Sequence, residues 1–480
     1  MIHKNKKEIL HPDFCVIGGG AGGLSFAAGA AQMGASVVLI ERDKMGGDCL
    51  NYGCIPSKAL LSASSAFDLK KAAAFGWSFE SAQVDFKKVH AYIQSVIEAI
   101  APNDSVSRFE GLGVKVIVEN AKFLNDVTVG TESYLVRPKR FIIATGSMPF
   151  IPLIEGLNSV PYYTNETLFD LQTLPEHLVI IGAGPIGLEM AQAFRRFGSK
   201  VTVLEAFAAL PKDDPKMANM LKAILISEGI ELNEGVDIAC VSQTSKGIQC
   251  IYKNKQDQQV RMIASHVLVA AGRKPNILNL NLDAAKINAS AKGIIVDEYL
   301  RTSNSKVYAI GDCTGGYQFT HVAGYHAGLA IRNSIFRLRS KVETRAIAWV
   351  TYTAPELAQV GFLESSLKEK KIEYKVLEMS FEKNDRAQTQ NSTQGGIKVL
   401  VSTKGRILGV SILGKNAGEL IYPWVMMIQN NLKISALTSS IAPYPTLSEI
   451  NKRVADSYYT DKVFGPFMKR VVKLIMGWTR

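Results

Sequence analysis

The sequence contains no stretch of about 18 uninterrupted apolar residues, so no membrane-crossing helix is expected. Met1 to His11 is basic and polar and lacks the apolar core of a secretion signal, which predicts a cytoplasmic protein. Histidine is absent beyond His326 and cysteine beyond Cys313, so the chain past residue 326 has neither imidazole nor thiol for chemistry. Cysteine is scarce throughout: Cys15, Cys49, Cys54, Cys240, Cys250 and Cys313. Only Cys49 and Cys54 are close together; the others lie beside apolar residues, show no metal-ligand spacing and read as small core residues. No metal site is expected. Basic charge does not cluster either: the net charge of +12 is spread along the chain. That reads as a solvated surface, or attraction for anionic cofactors and lipids, and argues against a nucleic-acid partner.

What is present is ordinary globular composition, 47% hydrophobic and 20% charged, over 480 residues. A chain of that length predicts two or three domains. Near its start, Phe14 to Ile17 leads into Gly18-Gly19-Gly20-Ala21-Gly22-Gly23, small residues run to Met33, and Ala35 to Ile40 ends at Glu41. This is a strand, a glycine turn, a helix, a second strand and an acid, the pattern of a dinucleotide-binding βαβ unit. Gly18 suits the tight turn, Gly20 lets backbone approach a pyrophosphate, and Gly23 lets helix and strand pack closely. Glu41 stands where a carboxylate accepts ribose hydroxyls. The pattern then repeats. Leu178 to Ile181, Gly182-Ala183-Gly184-Pro185-Ile186-Gly187, the helix Leu188 to Phe197 and the strand Lys200 to Leu204 end at Glu205. In both copies the acid follows the first glycine by 23 positions (41 − 18 and 205 − 182). Two such units predict two dinucleotides, a bound flavin and a diffusible nicotinamide. A carboxylate at Glu205 repels a 2′-phosphate, and Ala206-Phe207-Ala208-Ala209 offers no cation, so NADH is favoured over NADPH.

Between the copies lies Gly46-Gly47-Asp48-Cys49-Leu50-Asn51-Tyr52-Gly53-Cys54-Ile55-Pro56-Ser57-Lys58. A ring this small is poorly suited to stapling a fold, because a disulfide stabilises chiefly by closing a long loop. It suits a redox dithiol, in which one thiolate attacks and the other resolves. Lys58 follows Cys54 by one helical turn, positioned to bring a cation to the flavin and the thiolate. The simplest alternative for it is a surface helix lysine. Asp48 adds a negative charge beside Cys49, predicting a raised thiol pKa and poor tolerance of anionic substrates.

Helical spacing runs from Ser62 to about Asn103, and Gly113 to Asn120 and Thr128 to Val136 read as strands. Arg140 to Ser147 ends in Ala144-Thr145-Gly146-Ser147, where a strand delivers a small turn. Val267 to Ala271 leads to Gly272-Arg273-Lys274-Pro275-Asn276, and Val307 to Gly311 is a strand ending at Asp312. Past Arg345, Trp349 to Glu356, Val360-Gly361-Phe362, strands at Gly396–Val401 and Ile407–Leu413 and an apolar helix Glu419–Gln429 form a further domain.

These motifs, in this order over about residues 12 to 460, resemble the class I pyridine nucleotide-disulfide oxidoreductases, a family that includes dihydrolipoamide dehydrogenase, glutathione reductase and mercuric reductase. The resemblance implies an α/β fold of two Rossmann-like dinucleotide-binding domains plus an α+β C-terminal dimerisation domain. It places a split FAD-binding domain at 12–150 and 273–343, an NAD(H)-binding domain at 151–272, the dimerisation domain at 344–462 and a basic amphipathic tail at 463–480. It assigns FAD to Gly18, Gly20, Gly23, Glu41, Gly47, Lys58, Thr145, Gly146 and Asp312, and NAD to Gly182, Gly184, Gly187, Glu205 and Gly272. It makes Cys54 the flavin-proximal thiol and Cys49 the interchange thiol, pairs Lys58 with Glu189, and implies a homodimer with a shared active site completed by Tyr444 and Glu449 of the other subunit. NADH would reduce FAD, FAD the Cys49–Cys54 disulfide, and Cys49 a small-molecule electron acceptor.

The chain also departs from that pattern. Disulfide-reducing members carry histidine as the proton shuttle where this chain has Tyr444, within Ala442 to Glu449. A phenol titrates near pH 10, against about 6.5 for imidazole, and so makes a poor shuttle at neutral pH. General acid-base help is worth about 10² to 10⁴ in rate, so weak turnover of lipoamide or glutathione disulfide is expected. Mercuric reductase shares the tyrosine, but its C-terminal cysteine pair and its N-terminal metal-binding domain have no counterpart here. Pro185 stands where many members carry an aromatic gate over the nicotinamide. In the tail, Lys469, Arg470 and Lys473 face away from an apolar stripe, which predicts a helix packed on its own dimer or, as the alternative, peripheral membrane contact favouring a quinone. Two rival readings remain: an NADH:acceptor reductase of quinone type that passes electrons directly from flavin, and a redox-sensing or scaffold flavoprotein with little turnover.

Overall fold

The computed structural model describes residues 7–66, 69–78 and 83–478. By packing, these form two compact units. One comprises the chain up to Ser64 with Gln83–Phe207 and Asn233–Glu343; the other comprises the described part of 65–82, Ala208–Leu232 and the chain from Thr344.

The first unit contains both βαβ repeats. Its larger sheet is parallel, with Val307–Ala309, Arg140–Ile143, Phe14–Ile17, Val37–Glu41 and Val114–Val118 side by side. Continuous apolar runs such as Phe14-Cys15-Val16-Ile17 suit strands covered on both faces, and all four residues are buried. The second repeat sets His177–Ile181 between Lys200–Glu205 and His266–Val269, again in parallel. Each glycine turn leaves the carboxyl end of a strand and opens a helix, Ala21–Gln32 or Pro185–Phe197. In open α/β sheets, ligands bind at those carboxyl ends.

Three expected elements prove to be interrupted. The helical spacing from Ser62 to Asn103 resolves into separate helices, including Cys54–Ser65, Leu69–Ala74 and Phe86–Ile100; 67–68 and 79–82 lie outside the described residues. Gly76, at φ +86°, ends one of them in a left-handed conformation. Thr128 to Val136 is a hairpin of Thr128–Gly130 and Tyr134–Val136, closed by Thr131 accepting from the Tyr134 amide. Glu419 to Gln429 divides at Ile421 into Ala417–Leu420 and Tyr422–Gln429, because Pro423 cannot donate the amide that would continue one helix.

The second unit is built on an antiparallel sheet in the order Ala348–Thr351, Glu356–Gly361, Ile407–Gly414, Gly396–Ser402, Tyr374–Ser380. Its core holds Trp424, fully buried, whose indole N–H donates to Asn451 Oδ1 at 2.9 Å. Asn451 lies on the helix Glu449–Ser457, so this bond fixes the helix that carries Glu449. The chain ends in the helix Pro466–Trp478, of which no described residue is buried.

Candidate active site

The first phosphate loop and the cysteine segment are locked backbone to backbone. The Gly46 amide donates to the Gly19 carbonyl at 2.9 Å, and Gly46 and Gly47 both adopt left-handed φ values, +88° and +59°. A Cβ on Gly47 would stand 2.7 Å from Gly20 Cα, so only glycine permits this approach. The result is a short helix, Gly47–Asn51, carrying Asp48 and Cys49, followed by Cys54–Ser65, which begins at the second thiol.

Both cysteines are free thiols, Cys49 half-buried and Cys54 exposed, and they hydrogen-bond to each other. Cys54 is pulled down to about 6, chiefly by the hydrogen bond from Cys49, then by Thr320 and the charge of Lys58, which together outweigh burial. Cys49 is pushed up by the same pairing. One thiolate therefore rests on Cys54 and the proton on Cys49, the division that makes one sulfur a donor of electron density and the other the outward-acting thiol. Thr320 Oγ1 lies 3.4 Å from Cys54 Sγ. The sequence reading missed it; the only signal was a hydroxyl at the start of the helix Thr320–Ser334.

Lys58 and Glu189 meet as expected, Nζ to Oε2 at 2.8 Å, with the carboxylate almost fully buried. Since Glu189 lies on the helix of the second glycine turn, the bridge ties both repeats to the thiolate. Asp48 departs from expectation. Its carboxylate faces Arg273 at 3.1 Å and accepts from Asn165 Nδ2 at 3.0 Å, and the leading causes that raise Cys49 are its pairing with Cys54 and burial. Its charge acts on Cys54 as the weakest of several influences and does not prevent the lowered pKa. Arg273 continues the network, donating to Ser147 Oγ at 2.8 Å, and Ser147 donates to Asp312 Oδ2 at 2.7 Å. Burial pushes the Asp312 carboxyl up, partly offset by the bond from Ser147.

The residues fit a flavin dinucleotide at the first loop. Thr145 Oγ1 is buried without a hydrogen-bond partner, on the turn expected to face the cofactor. Gly146 beside it is left-handed, at φ +68°. A Cβ on Gly23 would strike the Gly18 carbonyl at 1.9 Å, and one on Gly18 the Ala144 carbonyl at 2.3 Å. Glu41 Oε2 accepts from the Gly19 amide at 2.5 Å, which aims the acid across the turn. The second loop repeats this: Gly187 against Gly182 at 2.1 Å, Gly182 against Ala270 at 2.4 Å, and Glu205 Oε2 accepting from the Ala183 amide at 2.7 Å. A Cβ added to Gly184 or Gly272 would meet nothing within 4 Å, leaving the space beside the backbone there open to a ligand. Pro185 opens the helix beside it.

In the second unit, Tyr444 is exposed and its hydroxyl donates to Asp385 Oδ2 at 3.0 Å, a bond that raises its pKa further. Glu449 keeps one buried carboxylate oxygen without a hydrogen-bond partner. Sequence reasoning named both residues; it did not foresee Asp385.

Two dinucleotide-type loops, a polarised dithiol and a lysine–glutamate bridge define a flavin- and pyridine-nucleotide-dependent dithiol enzyme. The sequence matches the pyridine nucleotide-disulphide oxidoreductase family model over residues 12–327 and that family's dimerisation domain over 347–455. Among similar proteins are a mercuric reductase of Staphylococcus aureus (34% identical; 94% of this chain, 83% of the relative) and a dihydrolipoyl dehydrogenase of Bacillus subtilis (32%; 90% and 96%). A solved structure, the Cu(II) complex of the HOCl-induced flavoprotein disulfide reductase RclA from Escherichia coli, aligns with a TM-score of 0.82 at 28% identity, covering 92% of this chain and 98% of that one. The chain belongs to the pyridine nucleotide-disulfide oxidoreductase family and is a flavin-dependent enzyme of that class.

Among the described residues, no helix is long and apolar enough to cross a membrane.

Proposed function

We propose that this enzyme uses NADH to reduce a thiophilic acceptor through Cys49 and Cys54, and that it favours a soft divalent metal ion over a disulfide. The observation that carries this is the contrast between a polarised dithiol and a proton-poor C-terminal domain. The Cys49 thiol and the Cys54 thiolate closing to a disulfide release two electrons, which convert M²⁺ to M⁰, and one proton, so the step consumes none. Reducing a disulfide to two thiols consumes two protons, and Tyr444, held by Asp385 above the usual phenol range, is a poor source of them.

Bound FAD supplies the step between nicotinamide hydride and disulfide. Around it Gly18, Gly20, Gly23 and Gly47 give backbone access, Glu41 takes ribose hydroxyls, and Asp312 with Thr145 meets the remaining polar groups. Glu205 and the lack of a nearby cation support NADH over NADPH. Lys58, steadied by Glu189, holds Cys54 ionised, and Cys49 meets the acceptor. A second copy of the chain contributes Tyr444 and Glu449; the unsatisfied Glu449 oxygen supports a partner group arriving there. Dependence on a diffusible NADH pool puts the work in the cytoplasm. For the tail, the exposed apolar side chains of Phe467, Leu474 and Trp478 support packing of this helix in the dimer, with peripheral contact to an anionic lipid surface as the alternative.

Anaerobic NADH titration followed by a panel of Hg²⁺, lipoamide, glutathione disulfide and quinones tests the reading. Cys49→Ser should lower metal reduction by about 10³ or more while NADH still bleaches the flavin. Metal reduction that survives the substitution would hand the function to direct transfer from flavin to a quinone-type acceptor. Flavin binding with negligible NADH oxidation on every acceptor would instead indicate a sensor or scaffold.

A further inference from the structure

The amino ends of the flavin-domain strands carry a second charged feature, on the side away from the glycine loops. A cavity of about 350 Å³ opens there, lined by Arg140, Arg301, Arg337, Arg339, Tyr299 and Asn333 among others, with no carboxylate in its wall. Arg301 pairs with Asp297 at 2.9 Å, whereas Arg140, Arg337 and Arg339 have no carboxylate partner among the described residues. Three cations surround the Tyr299 ring: Arg301 at 5.2 Å, Arg339 at 5.6 Å and Lys341 at 5.8 Å from its centre.

This arrangement is built rather than incidental. The loop carrying Arg337 and Arg339 is stapled to the loop carrying Tyr299 by one buried side chain. Asn333 Nδ2 donates to the Tyr299 carbonyl at 3.1 Å and to the Ser340 carbonyl at 2.9 Å, while its Oδ1 accepts from the Ser340 amide at 2.8 Å. The Val342 amide closes the same junction onto the Glu298 carbonyl at 2.8 Å. Arg337 itself is held at φ +56°, a conformation a bulky residue seldom adopts without such support. Holding guanidinium groups together in this way is unfavourable unless an anion is there to take them, and each presents the forked donors that match phosphate oxygens.

We propose that this cavity binds a polyphosphate chain, as inorganic triphosphate or as the triphosphate of a nucleotide. Its volume falls in the range of small-molecule sites, about 300–1,000 Å³. A monoanion would neutralise one of the three arginines without a carboxylate partner and leave two, so several linked phosphates are the matching chemistry. The site is separate from the dithiol. Arg140 begins the four-residue strand that leads to Thr145, and the five residue steps between them span about 16 Å when extended. The ligand therefore binds without touching the glycine loops.

Calorimetry on the flavin-loaded full chain, with NADH saturating and sodium triphosphate as the probe at low salt, tests this. One triphosphate should bind per chain, and the double variant Arg337→Glu, Arg339→Glu should weaken it by at least about tenfold. Both positions are exposed, so flavin content and melting temperature should hold in the variant. Equal affinity for ATP and triphosphate would assign the free chain as ligand; tighter ATP with weak AMP would assign a nucleotide. No binding to the wild type, undiminished binding to the variant, or equal affinity for orthophosphate or AMP would each overturn the proposal.

Discussion

The two glycine loops are built almost alike, yet one is covered and the other open. In both, the first glycine sits near φ +110° against a strand-end carbonyl, the third packs on the first, and an acid 23 residues on accepts an amide from the turn. The middle glycines differ. Gly20 has Gly47 packed beside it and the Gly46 amide bonded to its neighbour, whereas a Cβ added to Gly184 would meet no atom within 4 Å. A covered loop suits a cofactor that stays, and an open one suits a cofactor that arrives, reacts and leaves. The dithiol rides on the cover, so a flavin held at that loop, as proposed, would lie beside it.

The largest expected effect comes from breaking the cover. Gly47→Ala forces a Cβ to within 2.7 Å of Gly20 Cα and strains a left-handed residue, so the purified protein should lose at least about tenfold of its flavin. Gly184→Ala, at φ −75°, meets no protein atom. It should keep its flavin and instead raise the KM for NADH, by about tenfold, through crowding of the approaching pyrophosphate. Flavin analysis and steady-state kinetics separate the two. Equal flavin loss in both variants would end the distinction between a resident and a visiting site.

A smaller effect is expected from the paired acids. Glu205→Gln removes the charge proposed to repel a 2′-phosphate while keeping an acceptor for the Ala183 amide, so the proposed preference for NADH over NADPH should fall by about tenfold. Glu41→Gln, the same change in the covered loop, should alter flavin retention and leave that preference alone. An unchanged ratio of kcat/KM for the two nicotinamides in Glu205→Gln would remove the argument from the acid.

Much of this was legible because it is local. Glycine spacing, the acid at each strand end and the cysteine pair are set by neighbours in sequence, and the backbone that needs them is formed by the same short stretch. Lys58 with Glu189 was legible only through the resemblance, since nothing in either segment names the other. The partners of Asp48 were not legible at all. Arg273 and Asn165 come from distant segments and reach it only once the fold has assembled, so reading its charge in isolation overstated its effect on the thiols. Thr320 was hidden for the same reason, as was Asp385 beside Tyr444. The interrupted helices were missed because apolar spacing continues across breaks that a glycine or proline dictates.

The smallest effect asks how far the second repeat reaches into the first. Cys54 lies at about 6, well below the usual thiol range, so in the reduced protein it is a thiolate above that pH and is protonated as the pH falls through it. A depressed thiol pKa adds stability that is fully present above the unfolded value, about 8.5, and is lost as the pH drops through about 6. Thiolate absorbance of the reduced protein should show this midpoint. Lys58→Met, which removes a cation, should raise the midpoint by up to about one pH unit. Glu189→Gln should lower it by a smaller amount, because Lys58 then acts on the sulfur without an opposing carboxylate. Opposite signs would mean that a helix belonging to the open loop tunes the thiolate on the covered one, so the two sites differ in access but share one electrostatic circuit. Shifts of the same sign, or none from Glu189→Gln, would confine control of Cys54 to the hydrogen bonds from Cys49 and Thr320.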